Sequence, residues 1–533
     1  LVLILQCLGA LAVLLLAAGI AIRLLYPLPA LEPRTSSTHF TDTAATPLGR
    51  GIARLSPGEA GHSGLHMLKD GREAFAARIL LARAAVRSLD IQYYIWHGDL
   101  SGTLMLKAVR EAADRGVRVR MLLDDNGIAG MDAVLAALDR HPNVEIRLFN
   151  PFVLRRPKML GYLADFPRLN RRMHNKSFTA DNQATIIGGR NIGDEYFGAR
   201  DDALFVDLDV LAVGPIVEHA SSDFDRYWSS RSAYPADRIL PAVPVDELGG
   251  LSRQASLAGR EPAARAYVEA IRSLPFIDQT LAGTLQLEWA PVRMVSDDPA
   301  KGIGKAPKEG LLAPALREAV GDPQREVRLV SGYFVPGQAG VDAFSALAAR
   351  GVDVAIFTNA FEATDVWVVH AGYAERRKAL LKAGVRLFEM RGPDRADGQR
   401  VRRKLIATGS GSGAGSEGPV LRSSGSTLHA KTFSVDDERL FIGSFNFDPR
   451  SMHLNTELGF VIESPVLAAT VSRAFQVEIP ADAYEVVLAE GGQLNWLERT
   501  SGGVRVHVTE PGTSQFQRWG ISVLSRLPIE WLL

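Results

Sequence analysis

The chain has 533 residues, length for about three to four domain-sized units, and its 47% apolar and 23% charged residues exclude a disordered chain. Lysine plus arginine number 60 and aspartate plus glutamate number 60, so the formal charge is zero and a dedicated nucleic-acid binder, with its basic excess, is disfavoured. Cys7 is the only cysteine, which rules out an intrachain disulfide and a cysteine-based zinc site.

Residues 1–22 carry no charge before Arg23, enough apolar length for a membrane-spanning helix. A cleaved signal peptide is the competing reading; no basic residue precedes the run, and Leu28 ahead of Ala30 fits a cleavage site poorly. Arg23, Arg34 and Arg50 favour a cytoplasmic body by the positive-inside rule. Residues 1–25 are therefore the anchor or signal, and 26–60, rich in Pro, Ser, Thr and Gly, a linker.

From there helix and strand patterns alternate. Residues 68–88 read as a helix with an apolar face through Leu68, Phe75, Ile79 and Val86. Strand 89–96, helix 101–115, strand 117–123, helix 131–140 and strand 144–149 follow. The order returns as strand 325–334, helix 339–350, strand 352–358, helix 365–383 and strand 385–390. Arg115-Gly116-Val117 matches Arg350-Gly351-Val352, and Leu148-Phe149 matches Leu387-Phe388, at shifts of 235 and 239. Look-alike segments at a nearly constant offset predict two copies of one α/β unit, each a mixed, mostly parallel sheet flanked by helices. The expected division is half 1 at 61–235, a connecting segment at 236–310, half 2 at 311–480 and a C-terminal extension at 481–533 that ends LPIEWLL. GSGSGAGSEG (409–418) reads as a flexible surface loop.

Two motifs, at about 168–195 and 423–450, carry the chemistry. MHNKSFTADNQATIIGGRN holds His174, Lys176, Asp181, Gly188, Gly189 and Asn191. LHAKTFSVDDERLFIGSFN holds His429, Lys431, Asp436, Gly443, Ser444 and Asn446, each 255 residues further on. On an extended chain His174 and Lys176 share one face, as do His429 and Lys431. ATIIGG and RLFIGS read as strands returning from a turn at the aspartate, which is expected to tie down that turn. Facing copies would form a pocket of two imidazoles, two ammonium groups and two amides, suited to a phosphodiester. The lysines and the Asn191 and Asn446 amides would stabilise phosphoryl charge; one histidine would attack phosphorus while the other protonates the leaving alcohol. No metal or cofactor is expected, because the lysines supply the positive charge.

Such histidines need an acid on the second ring nitrogen. Glu457 lies eight residues before Pro465, and Asp207 eight before Pro215. Within this register Glu457 is expected to orient His429, and Asp207 to orient His174.

The doubled pattern resembles the phospholipase D superfamily with its two HKD motifs, over most of residues 60–480. IGGRNIGDEYF (187–197), DLDVLAVGP (207–215), GSFNFDPRSMHLNTELG (443–459) and the closing LPIEWLL are most similar to bacterial cardiolipin synthases, in particular the C type. The resemblance implies a phosphatidyl transferase of the bacterial inner membrane that joins two phospholipids. Phosphatidylglycerol would be the acceptor, and phosphatidylglycerol or phosphatidylethanolamine the donor. It also makes His174 the nucleophile, through a phosphatidyl-histidine. The sequence departs from the best-known members in its single apolar span, where they usually carry two, and in Gly189, which replaces a serine. The rival functions are a phospholipase D-type hydrolase, a nuclease of the same superfamily and a non-catalytic membrane scaffold. Phospholipids and a membrane are the expected partners, nucleic acid is not, and protein partners are not encoded.

Basic residues precede each motif: Arg155, Arg156, Lys158, Arg168, Arg171 and Arg172, then Arg400, Arg402, Arg403 and Lys404. They read either as solvated loops or as attraction for anionic head groups. Asp124-Asp125 and Asp201-Asp202 read as loop or cap residues, Tyr93-Tyr94 and Tyr333-Phe334 as core or acyl-channel lining, and His62, His97 and His370 as non-catalytic.

Overall fold

A computed structural model describes residues 2–197, 207–244, 262–364, 366–392 and 428–526. The expectations for 409–418, Arg400 to Lys404, Asp201-Asp202 and LPIEWLL fall outside those residues. The first helix, α1 (Val2–Leu25), has the length and apolarity to cross a membrane and leaves nearly all its side chains exposed.

The segment expected as a linker is a strap bound to half 1. Arg34 donates to the carbonyls of Ser230 (2.7 Å) and Ala233 (3.0 Å), and the His39 ring sits between Asp225 and Glu218, both at 2.7 Å. Arg120 donates to the Ser37 carbonyl at 2.9 Å, and Thr46 caps a helix at Pro47–Leu55. The Pro- and Ser-rich composition marks an extended backbone whose polar groups are satisfied by side chains of the body. The helix expected at 68–88 is Gly71–Ala84, because Asp70 accepts from the Glu73 amide and sets its start; the residues ahead of it form a strand.

Half 1 contains β1 (His62–Leu68), β2 (Ser88–Ile95), β3 (Arg118–Gly127), β4 (Val144–Phe149), β5 (Ser177–Ala180), β6 (Ala184–Gly188), β7 (Asp209–Val213) and β8 (Ala233–Pro235). Their spatial order is β8-β4-β3-β2-β5-β6-β7-β1. Then come β9 (Glu288–Ser296), β10 (Glu326–Ser331), β11 (Asp353–Asn359), β12 (Arg386–Met390), β13 (Lys431–Val435), β14 (Arg439–Gly443), β15 (Leu458–Glu463), β16 (Ala483–Leu488), β17 (Leu494–Thr500) and β18 (Gly503–His507). Their order, β9-β15-β14-β13-β10-β11-β12-β16-β17-β18, repeats that of half 1 and adds a hairpin at the far edge. Among the described strands, parallel pairing is confined to β2-β3-β4 and β10-β11-β12, with isolated parallel bridges outside them. The parallel share is smaller than strand–helix alternation predicts, because the motif-bearing strands return through tight turns, which only antiparallel neighbours permit.

The repeated Arg-Gly-Val has a mechanical cause. Gly116 and Gly351 sit at φ +94° and +89°, one residue past a helix C-cap. Gly116 and Val117 N–H groups return to the carbonyls of Ala113 and Ala112, and Gly351 and Val352 to Ala348 and Leu347. This is the Schellman closure, which turns each helix into its next strand.

β9 joins the halves. Its residues 288–291 pair with β1, and 292–296 with β15. An apolar layer from both halves packs behind this seam, including Leu65, Ile187 and Val210 with Leu440, Phe460 and Ile462. Each such buried side chain contributes about 1.5–3 kcal/mol, so the halves form one body.

Both motif hairpins turn through left-handed residues: Asp181 (φ +54°) with Asn182 (+48°), and Asp436 (+58°) with Asp437 (+53°). Asp and Asn tolerate this conformation, which matches the twist of the flanking strands. The Asp181 carboxylate accepts from the Val86, Arg87 and Ser88 amides, at the start of β2. Asp436 accepts likewise from Gln324, Arg325 and Glu326, ahead of β10. Asp181→Ala or Asp436→Ala should therefore lower stability by about 2–3 kcal/mol through the amides left unpaired. Denaturant titration of the purified variants in detergent checks this; an unchanged midpoint would remove the turn-anchoring role.

Candidate active site

The site lies where the chain just ahead of β5 meets the chain just ahead of β15. The Thr456 amide donates to the Arg172 carbonyl, and the His174 amide to the Thr456 carbonyl, both at 2.9 Å. Met173 and Thr456 form a parallel bridge across the halves. The residue after Thr456 is Glu457, which is thereby set beside His174.

The acids consequently cross. His174 Nδ1 bonds Glu457 Oε2 at 2.8 Å, and His429 Nδ1 bonds Asp207 Oδ2 at 2.6 Å. The expected pairing, Glu457 with His429 and Asp207 with His174, is incorrect: each histidine is oriented by the other half's acid. The internal register placed the acids correctly along each copy, but the decisive pairing is between copies.

With Nδ1 donating to a carboxylate, each ring turns a free Nε2 into the site. Both Nε2 atoms are buried and have no protein partner, as are the side-chain nitrogens of Asn191 and Asn446. Asn191 is held by its oxygen, which accepts from the Ile95 amide at the end of β2 (3.1 Å). Lys176 and Lys431 each donate to the carbonyl of their own motif histidine. The histidines and lysines of both copies thus lie close enough to act on one another's charge, whereas Asp181 and Asp436 stay at the distal turns.

The electrostatics differ between the two pairs. Burial, then the charges of Lys176 and Lys431, push His174 well below the ordinary imidazole range. Burial and Lys431 lower His429 too, but Asp207 opposes them. Burial works to raise Asp207, yet the bond to His429 and the nearby Lys431 hold it well below the usual carboxylate range. Burial raises Glu457 against the pull of Lys176. Lys176 is itself depressed, by burial and then by Lys431, as expected of a buried ammonium awaiting an anion.

Ser444 of the second motif is joined by supporting residues that carry no signal in the motifs. Ser444 and Ser451 donate to Glu457 at 2.5 and 2.7 Å, and Asp297 accepts from the Glu457 amide. Arg190 donates to the Asp207 carbonyl at 2.7 Å. Tyr94 and Tyr196 place ring edges against His174 and His429, with centroids 5.1 and 5.3 Å apart. Asp124 and Asp125 are buried ion-pair partners rather than loop or cap residues. Asp124 binds Arg172 and accepts from the Met173 amide at 2.7 Å, which fixes the backbone before His174. Asp125 binds Arg155 and Lys158. Tyr93 is core, its hydroxyl accepting from Arg78, and His370 lies in a buried network with Glu510 and Arg377. Among the described residues one group could hold a metal ion, His97, Asp99 and Glu195. Asp99 there caps the helix Leu100–Asp114, and His97 pairs with Glu195.

The chain matches the family described as "cardiolipin synthase, PLD-like domain" over residues 79–228 and 316–478. It is 46% identical to cardiolipin synthase C of Escherichia coli (strain K12), across 91% of this chain and 99% of that protein. It is 26% identical to cardiolipin synthase A of Pseudomonas entomophila (strain L48), across 84% and 72% of the two chains. The crystal structure of phosphatidylserine synthase from Haemophilus influenzae Rd KW20 superposes with a TM-score of 0.53 at 12% identity, covering 92% of this chain and all of that one, a likeness of fold.

The glycine at 189 has a steric cause. A Cβ there would lie 2.0 Å from Asp207 Oδ1. The equivalent Ser444 instead donates its hydroxyl to the longer Glu457. Gly189→Ser should displace Asp207 from His429 and cost about 10²-fold in turnover, as misplacements near 1 Å do. Initial rates of variants with unchanged circular dichroism check this; near-normal turnover would show that Asp207 is not needed where it stands.

Proposed function

Because this chain belongs to the cardiolipin synthase family of the phospholipase D superfamily, a family of phosphatidyltransferases, we propose that it makes cardiolipin from two phospholipids through a phosphatidyl-histidine. The observation that carries the mechanism is the pair of acid-oriented imidazoles whose Nε2 atoms are buried and unpartnered.

His174 Nε2 attacks the donor phosphorus. The P–N bond forms as the P–O bond to the head-group alcohol breaks, and the His429 imidazolium gives that oxygen its proton. The head group, glycerol or ethanolamine, leaves. The now neutral His429 takes the proton from the terminal hydroxyl of an acceptor phosphatidylglycerol, whose oxygen attacks phosphorus and expels His174. Lys176, Lys431, Asn191 and Asn446 hold the non-bridging oxygens, where charge builds. The asymmetry supports this assignment of roles. His174 is the more strongly kept neutral, as a nucleophile must be, whereas the ionised Asp207 favours His429 as the proton carrier.

The family and α1 suggest a membrane-anchored protein. We place it in the bacterial inner membrane, held by α1 as a single span, with phospholipids as substrates.

Labelled phosphatidylglycerol in mixed micelles tests the reaction: cardiolipin plus glycerol is the expected product pair, and phosphatidic acid without cardiolipin would assign a hydrolase. Wild-type protein denatured at mildly alkaline pH, where a P–N bond survives, should retain the phosphorus label of phosphatidylglycerol and His174→Ala should retain none; label kept by His174→Ala and lost from His429→Ala would exchange the two roles. The rising limb of kcat/KM against pH should lie below the ordinary imidazole value of 6.5, because burial and the lysines disfavour protonated His174. Removing a cation favours protonation, so Lys176→Met should shift that limb to higher pH. A limb that stays put would show that Lys176 does not act on the nucleophile.

A further inference from the structure

Between β4 and the first motif the chain forms a helical segment, Lys158–Leu160 running into Gly161–Leu169, with a break at Asp165. It leaves the end of β4 through Asn150, whose side chain donates to the carbonyls of Arg168 and Arg171. Three residues after Arg171 comes His174. The segment therefore borders the catalytic side of the sheet.

Its outer face is unusual. Met159, Leu160, Leu163 and Phe166 are 51%, 43%, 40% and 39% exposed. Leu163 also meets α1: Gly19 is buried, and a Cβ there would lie 2.5 Å from the Leu163 carbonyl oxygen, so only glycine permits the approach. Gly19 stands four residues before Arg23, about 6 Å along a helix axis, inside the uncharged run. Interfacial helices bury their apolar faces to a similar depth, about 5–10 Å. Arg23 and Arg156 are exposed, whereas Arg155 and Lys158 are taken up by Asp125.

We propose that Met159, Leu160, Leu163 and Phe166 form a ridge that enters the bilayer interface beside α1 and seats the mouth of the His174–His429 cleft on the lipid surface. The proposal rests on α1 being a membrane span. The occupant is lipid because the ridge is fixed to α1 at the depth where acyl chains begin. A phospholipid would then reach the imidazoles with its phosphate close to its resting level and its tails still in the leaflet.

The test uses the full chain, with Cys7→Ser as background, in vesicles of phosphatidylglycerol and phosphatidylethanolamine. An environment-sensitive fluorophore is attached at Leu160→Cys, Phe166→Cys, Leu11→Cys within α1, or Glu318→Cys on the exposed surface. Lipids carry a quencher high or low on the acyl chain. Positions 160 and 166 should emit to the blue and lose most emission to the shallow quencher, position 11 to the deep one, and position 318 to neither. Quenching at 11 alone would overturn the ridge and leave the anchor standing. Quenching at 160 and 166 without 11 would remove the span and overturn the proposal with it, because the ridge takes its depth from α1. Quenching nowhere would reject both.

Discussion

The site depends on a backbone pairing a few residues long, in which Arg172 and His174 bracket Thr456 of the other half. Side-chain chemistry follows from it. Once Thr456 is docked, Glu457 has no position available except beside His174. The rest of the machinery braces that contact from both sides: Asp124 grips Arg172 and the Met173 amide, while Asp297 and Lys301 lock the Glu457 backbone and the neighbouring Ser451. A buried charged group is tolerable only when it is fully hydrogen-bonded, and Glu457, with two serine hydroxyls, an imidazole and no solvent, meets that condition.

Duplication supplies the parts in matched pairs, but the two pairs are tuned apart. One half couples a glycine with the shorter aspartate, the other a serine with the longer glutamate. Burial and the two lysines depress His174 furthest, while the ionised Asp207 opposes them at His429, so two identical imidazoles acquire different proton affinities. A two-step transfer needs one ring that stays neutral and one that cycles, and the acid beside His429 contributes to that difference.

Much of this is legible in the chain itself. The identical spacing of His, Lys, Asp, Gly and Asn in two places shows the repeat, and the Arg-Gly-Val closures fix its register. The turn role of Asp181 and Asp436 follows from a residue type that accepts left-handed backbone. The crossed acids are not legible, because local spacing records only neighbours within a copy. The ion pairs of Asp125 with Arg155 and Lys158 are hidden for the same reason: some thirty residues separate the partners, so each looks like a surface charge. The strap at 34–46 shows how composition misleads, since proline and serine mark extended backbone whether or not it is bound.

β9 lends one end to each sheet. Cutting the chain on either side of it would strip one fragment of its closing strand and bare a ladder of unpaired amides and carbonyls. Each half is closed only by a strand it shares with the other.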